Sequence, residues 1–331
     1  MRNCMIILFG PTAVGKTAFS ELLARKLPAE IVNADMGQLY TPLSIGTAKP
    51  DWRNSSIPQH LFDIINEPRL ISVTEYRDRV ITSLKTIWAR NNIPLLVGGS
   101  GFYLYSLFFP PEGTASISHS QEKKAKAKLA PEHERWNQLY EIDPKRALRI
   151  HPHDIYRINR ALVIYFTTGM RPSEQEPHYQ PLASYCFVSL SRDRKELYDL
   201  INNRTLIMLQ QGWIQETQRL MGTEWQEFLI NKKIIGYDDI IRYLIEGDFS
   251  EIKHKELAKV IAQKTRNYAK RQITFGSYLQ DSLQKAISDC NDTRSICLDF
   301  NLTGNDPELY INQLLEQIKK MNCFDPNRRD V

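Results

Sequence analysis

Runs of apolar residues alternate with helical repeats along the first 110 residues. Residues 4–9, CMIILF, read as a short buried strand, and 18-AFSELLARKL-27 as a helix. A second strand is read at 31-IVNA-34. Segment 74-TEYRDRVITSLKTIWARNN-92 repeats Tyr76, Val80, Ile81, Leu84, Ile87 and Trp88 at helical spacing. Residues 94-PLLVGGSGFYLYSLF-108 read as strand, glycine turn and helix. Strand–helix alternation predicts a parallel sheet with crossover helices.

The pattern changes after Pro110-Pro111. Residues 122-EKKAKAKLA-130 are lysine-rich and helical, and helical periodicity continues through 134–142, 144–150 and 154–169. This predicts a helical insertion over 112–184 within an α/β core of 1–111 and 185–331. A returning strand is read at 185–191, helices at 193–211, 214–221 and 250–284, a last strand at 296–301 and a last helix at 307–320.

Composition adds bounds. The 331 residues suffice for two domains or one with an insertion. A net charge of +5 permits an anionic partner without requiring one. No apolar run approaches the ~18 residues of a membrane span, and the start lacks a signal-peptide cleavage pattern. Cys4, Cys186, Cys290, Cys297 and Cys323 show no C-x-x-C pair, which fits a reducing cytoplasm. Cys323 stands alone, so no metal finger is expected in the tail. His151 and His153 have no evident third ligand, and HPHD reads as a capped turn.

The chemistry begins at 10-GPTAVGKT-17, which matches G-x-x-x-x-G-K-[ST] between a strand and a helix. Gly10, Pro11, Thr12, Ala13, Val14 and Gly15 form a loop whose amides converge on phosphate. Lys16 adds a point charge, and the Thr17 hydroxyl can hold Mg²⁺. Such a loop grips di- or triphosphate. Phosphoryl donation and loss of a diphosphate leaving group both remain open. Asp35 ends the second strand, on the edge where an open parallel sheet binds ligands, and an Asx turn would explain it as well. Ser100 lies among Gly98, Gly99 and Gly101 at a third strand end. Arg157 and Arg160 share a helical face. Lys264, Arg266, Lys270 and Arg271 interleave with Tyr268 and Phe275, a composition suited to RNA backbone and unstacked bases.

The ordered blocks GPTAVGKT, NADMGQLY, IGTAKP, HLFDI, LLVGGSGFY, RINRALVIYFTTG, IIGYDD and TRNYAKRQITF resemble the tRNA dimethylallyltransferase (isopentenyltransferase) family over about residues 6–276. The resemblance implies a P-loop NTPase-like α/β core with a helical insertion domain. It implies prenyl transfer from dimethylallyl diphosphate to the exocyclic amine of the adenosine 3′ of the tRNA anticodon. Asp35 would be the general base, aided by Lys16 and Thr17, with Mg²⁺ on the diphosphate. The anticodon loop would meet Asp35, Met36, Gly37, Gln38, Ser100, Lys126, Arg157, Arg160, Lys233, Gly236, Tyr237, Lys270, Arg271 and Gln272. A cytoplasmic monomer with no membrane and no obligate protein partner is implied.

Four positions depart from the family pattern. Met36-Gly37 replace a hydroxyl and a long side chain, and Gly37 is expected to loosen the turn while Met36 fills apolar space near the prenyl tail. Ser100 replaces Thr and keeps the hydroxyl. Leu200 stands where an arginine would help hold diphosphate, whereas Arg204 is retained. An ATP-using small-molecule kinase and a tRNA-binding paralogue without catalysis are the rival readings.

Overall fold

The computed structural model describes residues 3–110, 119–175 and 177–321. Cys323 lies outside the described residues. The chain divides into two units, one of residues 1–105 and 182–331, the other of residues 106–181.

In the first unit, β1 (Cys4–Phe9) leads into α1 (Lys16–Lys26), then β2 (Ala29–Asn33), the short β3 (Gln59–His60), α2 (Val73–Ala89), β4 (Ile93–Gly98) and the start of α3 (Gly101–Phe108), whose residues 106–108 belong to the second unit. The second unit holds α4 (His119–Lys126), α5 (Arg135–Ile142), α6 (Pro144–Ala147) and α7 (Ile155–Thr168). The first unit resumes with β5 (Ser184–Ser191), α8 (Arg194–Gln210), α9 (Trp213–Gln218), α10 (Glu224–Lys232), α11 (Tyr237–Glu246) and the 39-residue α12 (Glu251–Asp289). β6 (Ile296–Asn301) and α13 (Pro307–Lys320) follow.

The six strands are ordered β3-β2-β4-β1-β5-β6, and every pairing is parallel. β1 is fully buried because helices cover both faces, which is why it reads as a continuous apolar run. Phe9 pairs with Gly98, and Asn33 with Val97. That register brings the turns after β1, β2 and β4 to one sheet edge. Gly98 is required there, since a Cβ would stand 2.0 Å from the Ala34 carbonyl oxygen.

β3, α10 and α11 are absent from the expectations above. β3 is two residues long, and α10 and α11 are short, so no long repeat marks them. α12 runs five residues past its expected end, with Leu279, Leu283 and Ala286 buried along its last turns. Gly276 on α12 faces Phe9, where a Cβ would approach a ring carbon to 2.3 Å. This close approach seats the helix against β1.

The second unit has its own core of Leu139, Ala147, Ile150, Ile158, Ala161 and Leu162. Asp143 caps α6 by accepting from Arg146 N at 3.0 Å and holds Ser173 N at 2.8 Å. His151 Nδ1 accepts from His153 N at 3.3 Å, the turn expected of HPHD. Among the described residues, no helix is long and apolar enough to cross a membrane.

Candidate active site

The loop of residues 10–17 connects β1 to α1. Ala13 (φ 65°) and Gly15 (φ 109°) adopt left-handed backbone, which turns successive amides toward one concavity at the α1 N-terminus. Lys16 Nζ folds back onto the carbonyl oxygens of Gly10 and Pro11, each at 2.9 Å. The Thr17 side chain is exposed at the first turn of α1.

Gln272 clamps this loop from α12. Its Oε1 accepts from Thr12 N at 2.8 Å, and its Nε2 donates to Gly99 O at 3.0 Å. Gly99 leaves room for that amide, since a Cβ would come within 2.2 Å of Nε2. Gln272 is buried and both ends of its amide are committed, so it supports the loop and is withdrawn from the RNA-facing set. Arg204 reaches the same loop from α8, hydrogen-bonded to the Thr12 hydroxyl.

Asp35 caps a 3₁₀ turn, Met36–Leu39, and its Oδ1 accepts from Gly37 N at 3.0 Å. The Asx-turn reading is therefore right about local geometry. Ser100 Oγ accepts from Met36 N at 3.1 Å, joining the turn to the β4 edge. Gly37 has no left-handed backbone. Its lack of a side chain serves packing, because a Cβ would stand 3.0 Å from Thr47 Cγ2. The turn is braced at Gly37 rather than loosened.

Electrostatics connect these groups. Burial pushes the Asp35 carboxyl above its usual range, against the pull of Lys16, the Gly37 amide and Arg204. Burial lowers Lys16 to about 8, opposed by Asp35 and reinforced by Arg204. Burial also lowers Arg204, with Asp35 opposing. Tyr268 on α12, one turn before Gln272, lies beside the Ser100 and Gln272 side chains. Burial and then Asp35 raise its phenol. Sequence reasoning took Tyr268 only as an RNA-facing aromatic. Its i, i+4 spacing to Gln272 was the available signal for a place in the site.

The remaining expected residues are dispersed. Lys270 and Arg271 are exposed on α12, and Lys233 is exposed at the left-handed end of α10. Gln38 donates to Thr47 O at 3.1 Å. Tyr237 is fully buried and donates to Glu216 at 2.7 Å, and Gly236 abuts the Trp213 ring. Burial removes both from the RNA-facing set. In the second unit, Lys126 is exposed and pairs with Glu122, Arg157 is exposed and pairs with Asp154, and Arg160 is exposed. Arg194 lies over the Tyr198 ring at 5.2 Å, and Leu200 is 36% exposed on α8.

No group of three or more His, Cys, Asp or Glu among the described residues could hold a metal ion. Magnesium commonly binds through substrate phosphates, water and one or two protein oxygens. The Thr17 hydroxyl at the phosphate loop fits a magnesium ion of that kind.

A family model described as IPP transferase matches residues 38–277. The chain belongs to the IPP transferase family. A tRNA dimethylallyltransferase of Alkaliphilus oremlandii is 37% identical over 281 residues, covering 83% of this chain and 88% of the relative. One of Alkaliphilus metalliredigens is 35% identical over 291 residues, covering 85% and 91%. The solved structure of a full-length tRNA isopentenylpyrophosphate transferase from Bacillus halodurans is 26% identical, with a TM-score of 0.63 and coverage of 97% and 98%. The IPP transferase core described above is a P-loop NTPase-like fold.

Proposed function

We propose that this protein transfers a dimethylallyl group from dimethylallyl diphosphate to tRNA and releases diphosphate. Membership of the IPP transferase family supports a prenyltransferase and disfavours the kinase and non-catalytic readings. The observation that carries the mechanism is the meeting of Asp35 with the phosphate loop at one sheet edge, where Lys16 and Arg204 act on its carboxylate.

In this reading the acceptor is the N6 amine of the adenosine 3′ of the anticodon. That amine is a weak nucleophile, because its lone pair is delocalised into the ring. N6 bonds to C1 of the prenyl group, the C1–O bond breaks, and its electrons leave on diphosphate. Asp35 takes the N6 proton, and its elevated pKa makes it the stronger acceptor. Loop amides, Lys16 and Arg204 stabilise the leaving charge. Thr17 would hold a magnesium ion, which supplies further positive charge to the diphosphate. Ser100 holds the Asp35 turn in place through Met36 N. The base must leave its stack to reach this edge. Lys233, Lys270, Arg271, Lys126, Arg157 and Arg160 are exposed and suited to the RNA backbone. A tRNA substrate and the thiols of Cys290 and Cys297 fit a cytoplasmic protein.

The test is mass spectrometry of nucleosides from unmodified tRNA incubated with the protein and dimethylallyl diphosphate. Prenylated adenosine with equimolar diphosphate is expected. No product above background at saturating substrate overturns the reading.

A further inference from the structure

Glu216 takes no part in the scheme above. It is buried on α9, yet its carboxylate accepts four hydrogen bonds. Oε2 accepts from Ser44 N at 3.0 Å and Ile45 N at 2.8 Å. Oε1 accepts from Gly46 N at 3.1 Å and from the Tyr237 hydroxyl at 2.7 Å. Three successive backbone amides thus converge on one anion, an arrangement resembling an anion nest filled by a protein side chain. Burying a carboxylate is costly unless its lone pairs are used, and here both oxygens are doubly engaged. A glutamine would set an NH₂ group against backbone donors.

The surroundings hold α9 in place. A Cβ at Gly46 would stand 2.1 Å from Trp213 Nε1, and one at Gly236 would stand 2.2 Å from the same ring. Trp213, three residues before Glu216, is clasped by two glycines.

The anchored loop runs directly to the base. Thr47 follows Gly46, bonds the Leu43 carbonyl through its hydroxyl at 2.6 Å, and sets its methyl against Gly37. Gln38 donates to the carbonyls of Thr47 (3.1 Å) and Ala48 (3.3 Å). Gly37 in turn donates to Asp35. The 3₁₀ turn that carries the base therefore rests on loop 44–48, and that loop rests on Glu216.

We infer that Glu216 is a positioning residue for prenyl transfer, aiming Asp35 through loop 44–48. The inference rests on the proposed transferase activity. Diphosphate binding is separate, because the phosphate loop is clamped by Gln272 and not by Glu216. Glu216→Gln keeps the volume and breaks the nest. Steady-state kinetics should show kcat about ten- to a hundredfold lower, with KM for dimethylallyl diphosphate within about twofold of the parent. Hydrogen exchange should show lost protection across residues 35–48. A kcat within about twofold of the parent, or a KM rising as far as kcat falls, overturns the inference. If Glu216→Gln does not fold, Thr47→Ser carries the test. It deletes only the methyl against Gly37, and an unchanged kcat there also overturns the inference. An inactive parent protein would count against the transferase activity itself. Exchange over residues 35–40 then decides the coupling, and protection unchanged in Glu216→Gln overturns it.

Discussion

Lys16 is held in an environment that disfavours its charge, so replacing it should stabilise the free protein while disabling it. Burial brings the ammonium from the ordinary 10.5 to about 8. At ~1.4 kcal/mol per tenfold, this amounts to about 3 kcal/mol of penalty at neutral pH. Lys16→Met removes that penalty. That figure already includes the opposing attraction to Asp35; the variant also loses the hydrogen bonds to Gly10 and Pro11, leaving a net gain of about 1–2 kcal/mol. Thermal unfolding at pH 7 should therefore place the variant about 1–3 °C above the parent. The sign with pH follows from a lowered lysine pKa. The penalty is full below about 8 and is relieved as pH rises from about 8 toward 10.5. The advantage of the variant should shrink across that interval. Inorganic diphosphate should reverse the order by stabilising the parent far more than the variant. A variant less stable than the parent at pH 7, by a margin constant to pH 10, would refute the reasoning.

Other perturbations probe neighbouring groups. Asp35→Asn should lower kcat by about 10²–10⁴ with little change in KM for dimethylallyl diphosphate, read in steady-state prenylation. Since Asp35 works deprotonated and its pKa is raised, parent activity should fall on acidification at a pH above the ordinary carboxylate value of 3.8. Gln272→Ala strands the half-buried Thr12 N and the buried Gly99 O. It should cost about 2–3 kcal/mol in denaturant unfolding and raise KM for dimethylallyl diphosphate about tenfold. Burial pushes Glu30 up, but hydrogen bonds from Arg90, Asn92 and His60 prevail and bring it to about 2. Its contribution is present above 4.5 and lost as pH falls through about 2. Glu30→Gln should therefore cost about 2 kcal/mol at pH 7, allowing for the exposed side of Arg90, with the gap closing in acid unfolding series.

The amino-acid sequence determined the elements whose signals are local. An apolar run, a glycine loop and a helical repeat each report on their own backbone, so β1, the phosphate loop, α1, α2, β4 and β6 were legible. The ordered motif blocks likewise placed Asp35 and Ser100 among the residues of interest, and the family pattern around Leu200 added Arg204. What a side chain does with its polar atoms was not legible, because that depends on which distant atoms the fold delivers. Gln272 and Tyr237 carry polar groups that could equally face RNA. Only packing showed one holding Thr12, 260 positions away, and the other bonded to Glu216. Gly37 looked like flexibility, and the tertiary structure made it a seat for Thr47. The lowered pKa of Lys16 and the raised one of Asp35 belong to this class too. Both arise from burial at a shared sheet edge, and burial is a property of the assembled fold.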